Sequence, residues 1–135
     1  MADKIFVDTN IWLYAFMDDN RERTRISREI ISNPNVVLNT QILNEICINL
    51  LRKAKYTEEN IQILIVNINN HYEVSPITAD TILQASFIRE KVDMEYWDSL
   101  IVASAIQNNC KILYSDILPH NYIIEKKLKI VNPFK

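Results

Sequence analysis

Two hydrophobic rhythms alternate along the chain, short apolar blocks of strand length and longer stretches with a helical period. Lys4-Ile5-Phe6-Val7 is a β-rich run that stops at Asp8-Thr9-Asn10, where a helix can begin. Residues 10–17 and 21–32 read as helices, and Val36-Val37-Leu38 as a strand that stops at Asn39-Thr40. The apolar set Ile42, Leu43, Ile46, Cys47, Leu50, Leu51 and Ala54 has helical spacing and a wide buried face. Thr57 is placed to cap the next helix, which runs through Ile61, Leu64, Ile65 and Ile68. Tyr72-Glu73-Val74 predicts a strand, residues 78–91 and 98–109 two helices, and Lys111-Ile112-Leu113-Tyr114 and Lys129-Ile130-Val131 two more strands.

Strands alternating with helices predict an α/β protein with a largely parallel sheet, and such sheets place ligands at the carboxyl ends of their strands. With 135 residues, 48% hydrophobic and 24% charged, a single domain over 1–135 is expected. The chain has no glycine, so turns fall to Asn, Asp, Ser and Pro, as at Ser32-Asn33-Pro34-Asn35.

Cys47 and Cys110 stand alone, without the paired spacing of a thiolate zinc site, and read as reduced, buried cysteines. The start Met1-Ala2-Asp3-Lys4 lacks the pattern of a signal peptide, and no apolar run approaches the roughly 18 residues of a membrane span. A cytoplasmic protein with no membrane association is expected. A net charge of −2 argues against nucleic-acid binding by bulk positive charge. Local basic strips remain at Arg21, Arg23, Arg25 and Arg28, at Arg52, Lys53 and Lys55, and at Lys126, Lys127 and Lys129; each taken alone reads as a solvated face.

The acids carry the chemistry. Asp8 directly follows the first strand, Asp116 follows Leu113-Tyr114, Asp98 opens the very apolar stretch Leu100–Ile106, and Glu45 lies early in the helix after the second strand. Each has an ordinary reading: Asp8 and Asp98 as helix caps, Asp116 as a loop acid, Glu45 as part of a solvent stripe with Gln41, Asn49 and Arg52. Jointly, three of them fall on one rim of a parallel sheet and the fourth one short helical reach away. Clustered carboxylates repel unless some take up protons or a cation sits among them. Oxygen-only donors point to Mg²⁺ or Mn²⁺, and such an ion suits phosphodiester chemistry. Arg52, beyond Glu45 on the same helix, is a candidate phosphate contact. His120 is a candidate proton-transfer group, and Trp12, Trp97 and the tyrosines are either core or base-stacking residues.

The motifs Phe6-Val7-Asp8-Thr9-Asn10, Asn44-Glu45, Tyr96-Trp97-Asp98-Ser99-Leu100-Ile101-Val102-Ala103, and Ile112-Leu113-Tyr114-Ser115-Asp116 through Phe134 resemble a PIN domain, in particular the VapC-type toxins of toxin–antitoxin pairs. The resemblance spans nearly the whole chain. It implies a three-layer α/β/α sandwich with a mostly parallel central sheet. It implies Asp8, Glu45, Asp98 and Asp116 as catalytic, metal-binding acids, with Thr9, Asn10 and Ser115 as supporting groups. It also implies an Mg²⁺- or Mn²⁺-dependent endoribonuclease, an RNA substrate, an antitoxin partner and a homodimer. One departure stands out: relatives read Ser-Glu-Asp where this chain has Ser115-Asp116-Ile117, so the usual final acid falls on Ile117.

Other readings remain open on the sequence alone. A haloacid-dehalogenase-like phosphatase also begins with a strand ending in Asp, but needs a second Asp where this chain has Asn10. A catalytically inactive PIN-like binding module is favoured by Ile117, and a plain α/β interaction domain would use the four acids only as caps.

Overall fold

The computed structural model describes residues 3–135. Its strands are β1 (Ile5–Val7), β2 (Val36–Asn39), β3 (Glu73–Ser75), β4 (Ile112–Tyr114), β5 (Ile123–Ile124) and β6 (Leu128–Val131). Its helices are α1 (Thr9–Met17), α2 (Arg21–Ile31), α3 (Thr40–Lys53), α4 (Glu58–His71), α5 (Ala79–Lys91) and α6 (Tyr96–Gln107). The six strands form one sheet in the order β3-β2-β1-β4-β6-β5, parallel throughout except where β5 pairs antiparallel with β6.

This order has a direct consequence. From β1 the chain steps outward to β2 and β3, then crosses back to lay β4 on the other side of β1. Right-handed crossovers made in opposite directions put their helices on opposite faces of the sheet. Helices α1 to α4 therefore form one outer layer and α5 with α6 the other, the expected three-layer sandwich. The direction reverses between β1 and β4, which opens a crevice at their carboxyl ends.

Covering both faces explains the composition of the central strands. Every residue of β1 and β2 is buried, so they read as continuous apolar runs rather than alternating ones. Helix α6 is buried from Ser99 to Ala105, with small residues where it lies against the sheet. Asn39, fully buried at the end of β2, caps α3 through the Ile42 amide (2.8 Å) and donates to Ser104 of α6 (2.9 Å). One side chain thus joins both helical layers through the sheet. Trp12 lies in the core, its indole N–H donating to the Val7 carbonyl at 3.0 Å. Cys110 is buried and Cys47 half-buried, both free thiols, and burial pushes the Cys110 pKa up to about 12. Among the described residues no helix is long and apolar enough to cross a membrane.

Without glycine, other residues take left-handed backbone conformations. Asn109 (φ 59°) ends α6, and the amides of Asn109 and Cys110 bond back to the carbonyls of Ile106 and Ala105. Glu125 (φ 53°) and Lys126 (φ 57°) form the two centre residues of the β5–β6 hairpin, closed by a 3.0 Å bond from the Lys127 amide to the Ile124 carbonyl. Positive φ at both centres is the type I′ arrangement, which favours Asn-Gly. Replacing Glu125-Lys126 by Asn-Gly should stabilise the protein by about 1 kcal/mol, read as a higher unfolding midpoint; an unchanged or lower midpoint would contradict the strain assigned to this turn.

Candidate active site

The crevice between β1 and β4 is where the acids gather. Asp8 is the first residue after β1, and its amide donates to the Tyr114 carbonyl at the end of β4 (3.0 Å). Ser115 and Asp116 follow directly. The backbone pairing of two adjacent parallel strands therefore sets the spacing of these groups. Asp8 is buried; its Oδ1 accepts the Thr9 amide (2.7 Å) and its Oδ2 the Ser115 hydroxyl (2.9 Å). The first bond caps α1, so the cap reading of Asp8 is correct but incomplete. Ser115 Oγ in turn accepts the amides of Ile117 and Leu118, each at 3.2 Å.

Glu45 projects from α3 toward the same place. Both of its carboxylate oxygens are held, Oε2 by the Thr9 hydroxyl (2.6 Å) and Oε1 by the Gln41 amide nitrogen (3.0 Å). Asp98 enters from α6. The sequence places Asp98 at the head of its helix as a cap, and here the structure differs. The helix begins at Tyr96, and Glu95 caps it by accepting the amides of Trp97 (2.9 Å) and Asp98 (3.1 Å). With Glu95 in that role, the Asp98 carboxylate is free for other work.

The electrostatics show how these carboxylates interact. Burial first, and then the charges of Asp98 and Glu45, raise the pKa of Asp8 to about 6 against the lowering effect of its two hydrogen bonds. Asp98 is raised as well, first by burial and then by Glu95 and Glu45. The charge of Glu45 therefore reaches both aspartates, and that of Asp98 reaches Asp8, across a shared space.

Asp116 has a different environment. Its Oδ1 accepts the Asn10 amide (3.2 Å), and its Oδ2 lies 3.7 Å from a guanidinium nitrogen of Arg23. Arg23 also donates to the Tyr14 hydroxyl (3.0 Å), with its guanidinium carbon 4.7 Å from the centre of the Phe134 ring. On sequence spacing Arg23 belongs to a solvated face; its role is visible only once Tyr14, Phe134 and Asp116 converge on it. Arg52 lies exposed in the last turn of α3, while its neighbour Lys53 lines a small cleft with Asn10 and Tyr14. His120 accepts the Asn132 amide (2.9 Å), tying its loop to the C-terminal segment. The aromatic residues divide: Trp12 is core, whereas Trp97 and Tyr96 are 58% and 46% exposed beside Asp98.

The donor set suits a hard divalent cation. Asp8, Glu45 and Asp98 supply carboxylate oxygens, and the buried Gln41 Oε1 has no hydrogen-bond partner beside Glu45. Among the described residues no three acidic, His or Cys side chains are drawn together tightly enough to cage an ion by themselves. That arrangement suits an ion held by one or two carboxylates and completed by water, as Mg²⁺ is.

The PIN domain family model matches residues 5–117. The chain belongs to the PIN domain family. In this PIN domain the matched span contains all four acids, from Asp8 to Asp116, while β5 and β6 lie beyond it. No curated protein sequence matches it significantly. Solved structures similar to this PIN domain include a toxin–antitoxin complex from Klebsiella pneumoniae, at TM-score 0.73 and 16% identity, covering 96% of this chain and 98% of that one. VapC20 of Mycobacterium tuberculosis, a toxin that cleaves the sarcin–ricin loop, matches at TM-score 0.67 and 19% identity over 83% of this chain and 88% of its own. VapBC2 of Rickettsia felis, solved with a DNA fragment from its promoter, matches at TM-score 0.62 and 19% identity over 95% and 98%. These likenesses establish the PIN fold.

Proposed function

We propose that this PIN domain is a metal-dependent endoribonuclease, the toxin of a toxin–antitoxin pair. The observation that carries the reading is the convergence of Asp8, Glu45 and Asp98 at the sheet's reversal point, with Asp8 raised to about 6 and, among the described residues, no basic side chain bonded to any of the three. Toxins and toxin–antitoxin complexes among the structures of the same fold support the biological setting.

Asp8, Glu45 and Asp98 would hold Mg²⁺ or Mn²⁺, with Asp116 on the flank nearest Arg23. When bound, the ion lowers the pKa of a coordinated water and offsets charge on the phosphodiester. The protein's own groups do the rest. Thr9 and Gln41 fix the Glu45 carboxylate, and Ser115 and the Thr9 amide fix Asp8, so neither acid must be ordered when substrate arrives. Asn10 and Arg23 hold Asp116, and Arg23, with 40% of its side chain exposed, is placed to meet a phosphate of the strand. The test is cleavage of a structured RNA with Mg²⁺, with chelator, and with Asp98→Asn. Chelation and the substitution should each abolish cleavage; a variant as fast as wild type would overturn the proposal.

Arg23 gives a separate test. Arg23→Ala should weaken RNA binding and reduce the slope of log affinity against log salt by about 0.7, the share of one phosphate contact on a single strand. An unchanged slope would confine Arg23 to its contact with Asp116.

A further inference from the structure

Ile117, directly after Asp116, is a large apolar residue left 63% exposed. Ile117 forms one wall of a hollow of about 490 Å³ with Met94, Leu118, Pro119 and Tyr122, and Asp98 lines the same hollow. That volume lies within the range of clefts that take small organic groups, about 300–1,000 Å³. Tyr122 is 42% exposed and presents an aromatic ring at the rim. The wall is coupled to the acid site through Ser115, whose hydroxyl bonds Asp8 and accepts the amides of Ile117 and Leu118.

We propose that this hollow is a base-binding subsite. It takes one unpaired base of the RNA strand whose neighbouring phosphate lies at the acid cluster, with Tyr122 and Ile117 against the faces of the ring. This rests on the nuclease reading and deepens it. The chemistry of the walls selects a base over the backbone. Asp93, Glu95 and Asp98 outnumber Lys91 among the lining residues and disfavour a phosphate, whereas Met94, Ile117, Leu118 and Tyr122 offer the apolar contact on which single-stranded binding depends. An acid at position 117 would disrupt that surface. A base paired and stacked within a duplex cannot enter, so the subsite also selects for unpaired RNA.

The test uses fluorescein-labelled twelve-nucleotide homopolymers of adenosine, cytidine and uridine, and a duplex of equal length, bound to a cleavage-deficient Asp8→Asn parent. Adding Tyr122→Ala or Ile117→Ser should weaken single-strand binding about tenfold, the scale of one lost base contact, and narrow the preference over duplex. Both side chains are substantially exposed, and an unchanged unfolding midpoint would show that the variants remain folded. The same substitutions in the otherwise wild-type chain should leave stabilisation by Mn²⁺ unchanged. Single-strand affinity unmoved by both substitutions would overturn the subsite and leave the metal-dependent reading standing. Failure of the parent to bind any strand, with no Mn²⁺ effect on wild type, would overturn both.

Discussion

Replacing Asp8 by Asn should lower RNA cleavage by about a hundredfold or more while making the metal-free protein more stable. The two effects have one cause. The carboxylate is buried, and its pKa is raised from the ordinary 3.8 to about 6 by burial, with further repulsion from Asp98 and Glu45. Unfolded, the group ionises near its ordinary value, so between the two values the folded state binds more protons. Stability from this group is therefore greatest below about pH 4, declines as pH rises, and reaches its full penalty above about pH 6. A displacement of roughly two pH units corresponds to about 3 kcal/mol. Asn carries no charge and escapes this penalty, while its side-chain oxygen can still accept the Thr9 amide. Denaturant unfolding of both proteins at pH 8 and pH 5 provides the check. The variant should be more stable at pH 8, with its advantage shrinking at pH 5. A variant less stable than wild type at pH 8 would mean that the hydrogen bonds of Asp8 outweigh its desolvation.

Divalent cation should largely offset that effect. An ion that binds only the folded state at about a hundred times its dissociation constant adds roughly 2.7 kcal/mol, and for a chain of this size the midpoint should rise by about 10 °C. Thermal unfolding with increasing Mn²⁺ should show this rise for wild type, and little or none for Asp8→Asn or Asp98→Asn. Because a protonated Asp8 is a poor ligand, the wild-type rise should also diminish at pH 5. A rise of equal size in wild type and both variants would place the ion elsewhere on the molecule.

Much of the architecture is legible in the sequence because the strands here are short apolar runs bounded by polar stops, and the helices carry clear periodicity. Asp8 and Asp116 are legible as candidate site residues for the same reason: Asp8 directly follows β1 and Asp116 lies two residues past β4, and parallel sheets gather such positions on one rim. The head of α6 is read two residues late because Glu95, outside the apolar stretch, is the cap. Strand β5 is missed because its hairpin turns on Glu125-Lys126, and a Glu-Lys pair gives no sign of the left-handed geometry it adopts. Arg23 is hidden for a deeper reason. Its partners Tyr14, Asp116 and Phe134 lie on separate segments that meet only in the folded chain. Local spacing describes a helix face and says nothing of what the rest of the fold brings against it.

The site is assembled from two kinds of structure. Asp8, Glu45 and Asp98 stand on or beside β1, α3 and α6, whose places are fixed by a buried sheet and by Asn39 linking both layers. The hollow beside them is lined mainly by the segments 92–95 and 117–122, outside helices and strands, with Lys91 of α5 and Asp98 of α6 completing it. On the proposed reading, the acid cluster and the base subsite can therefore be altered largely independently. Exchanging those two segments between family members should redirect which strands are cut without rebuilding the chemistry, so lineages can diverge in target through loop change alone.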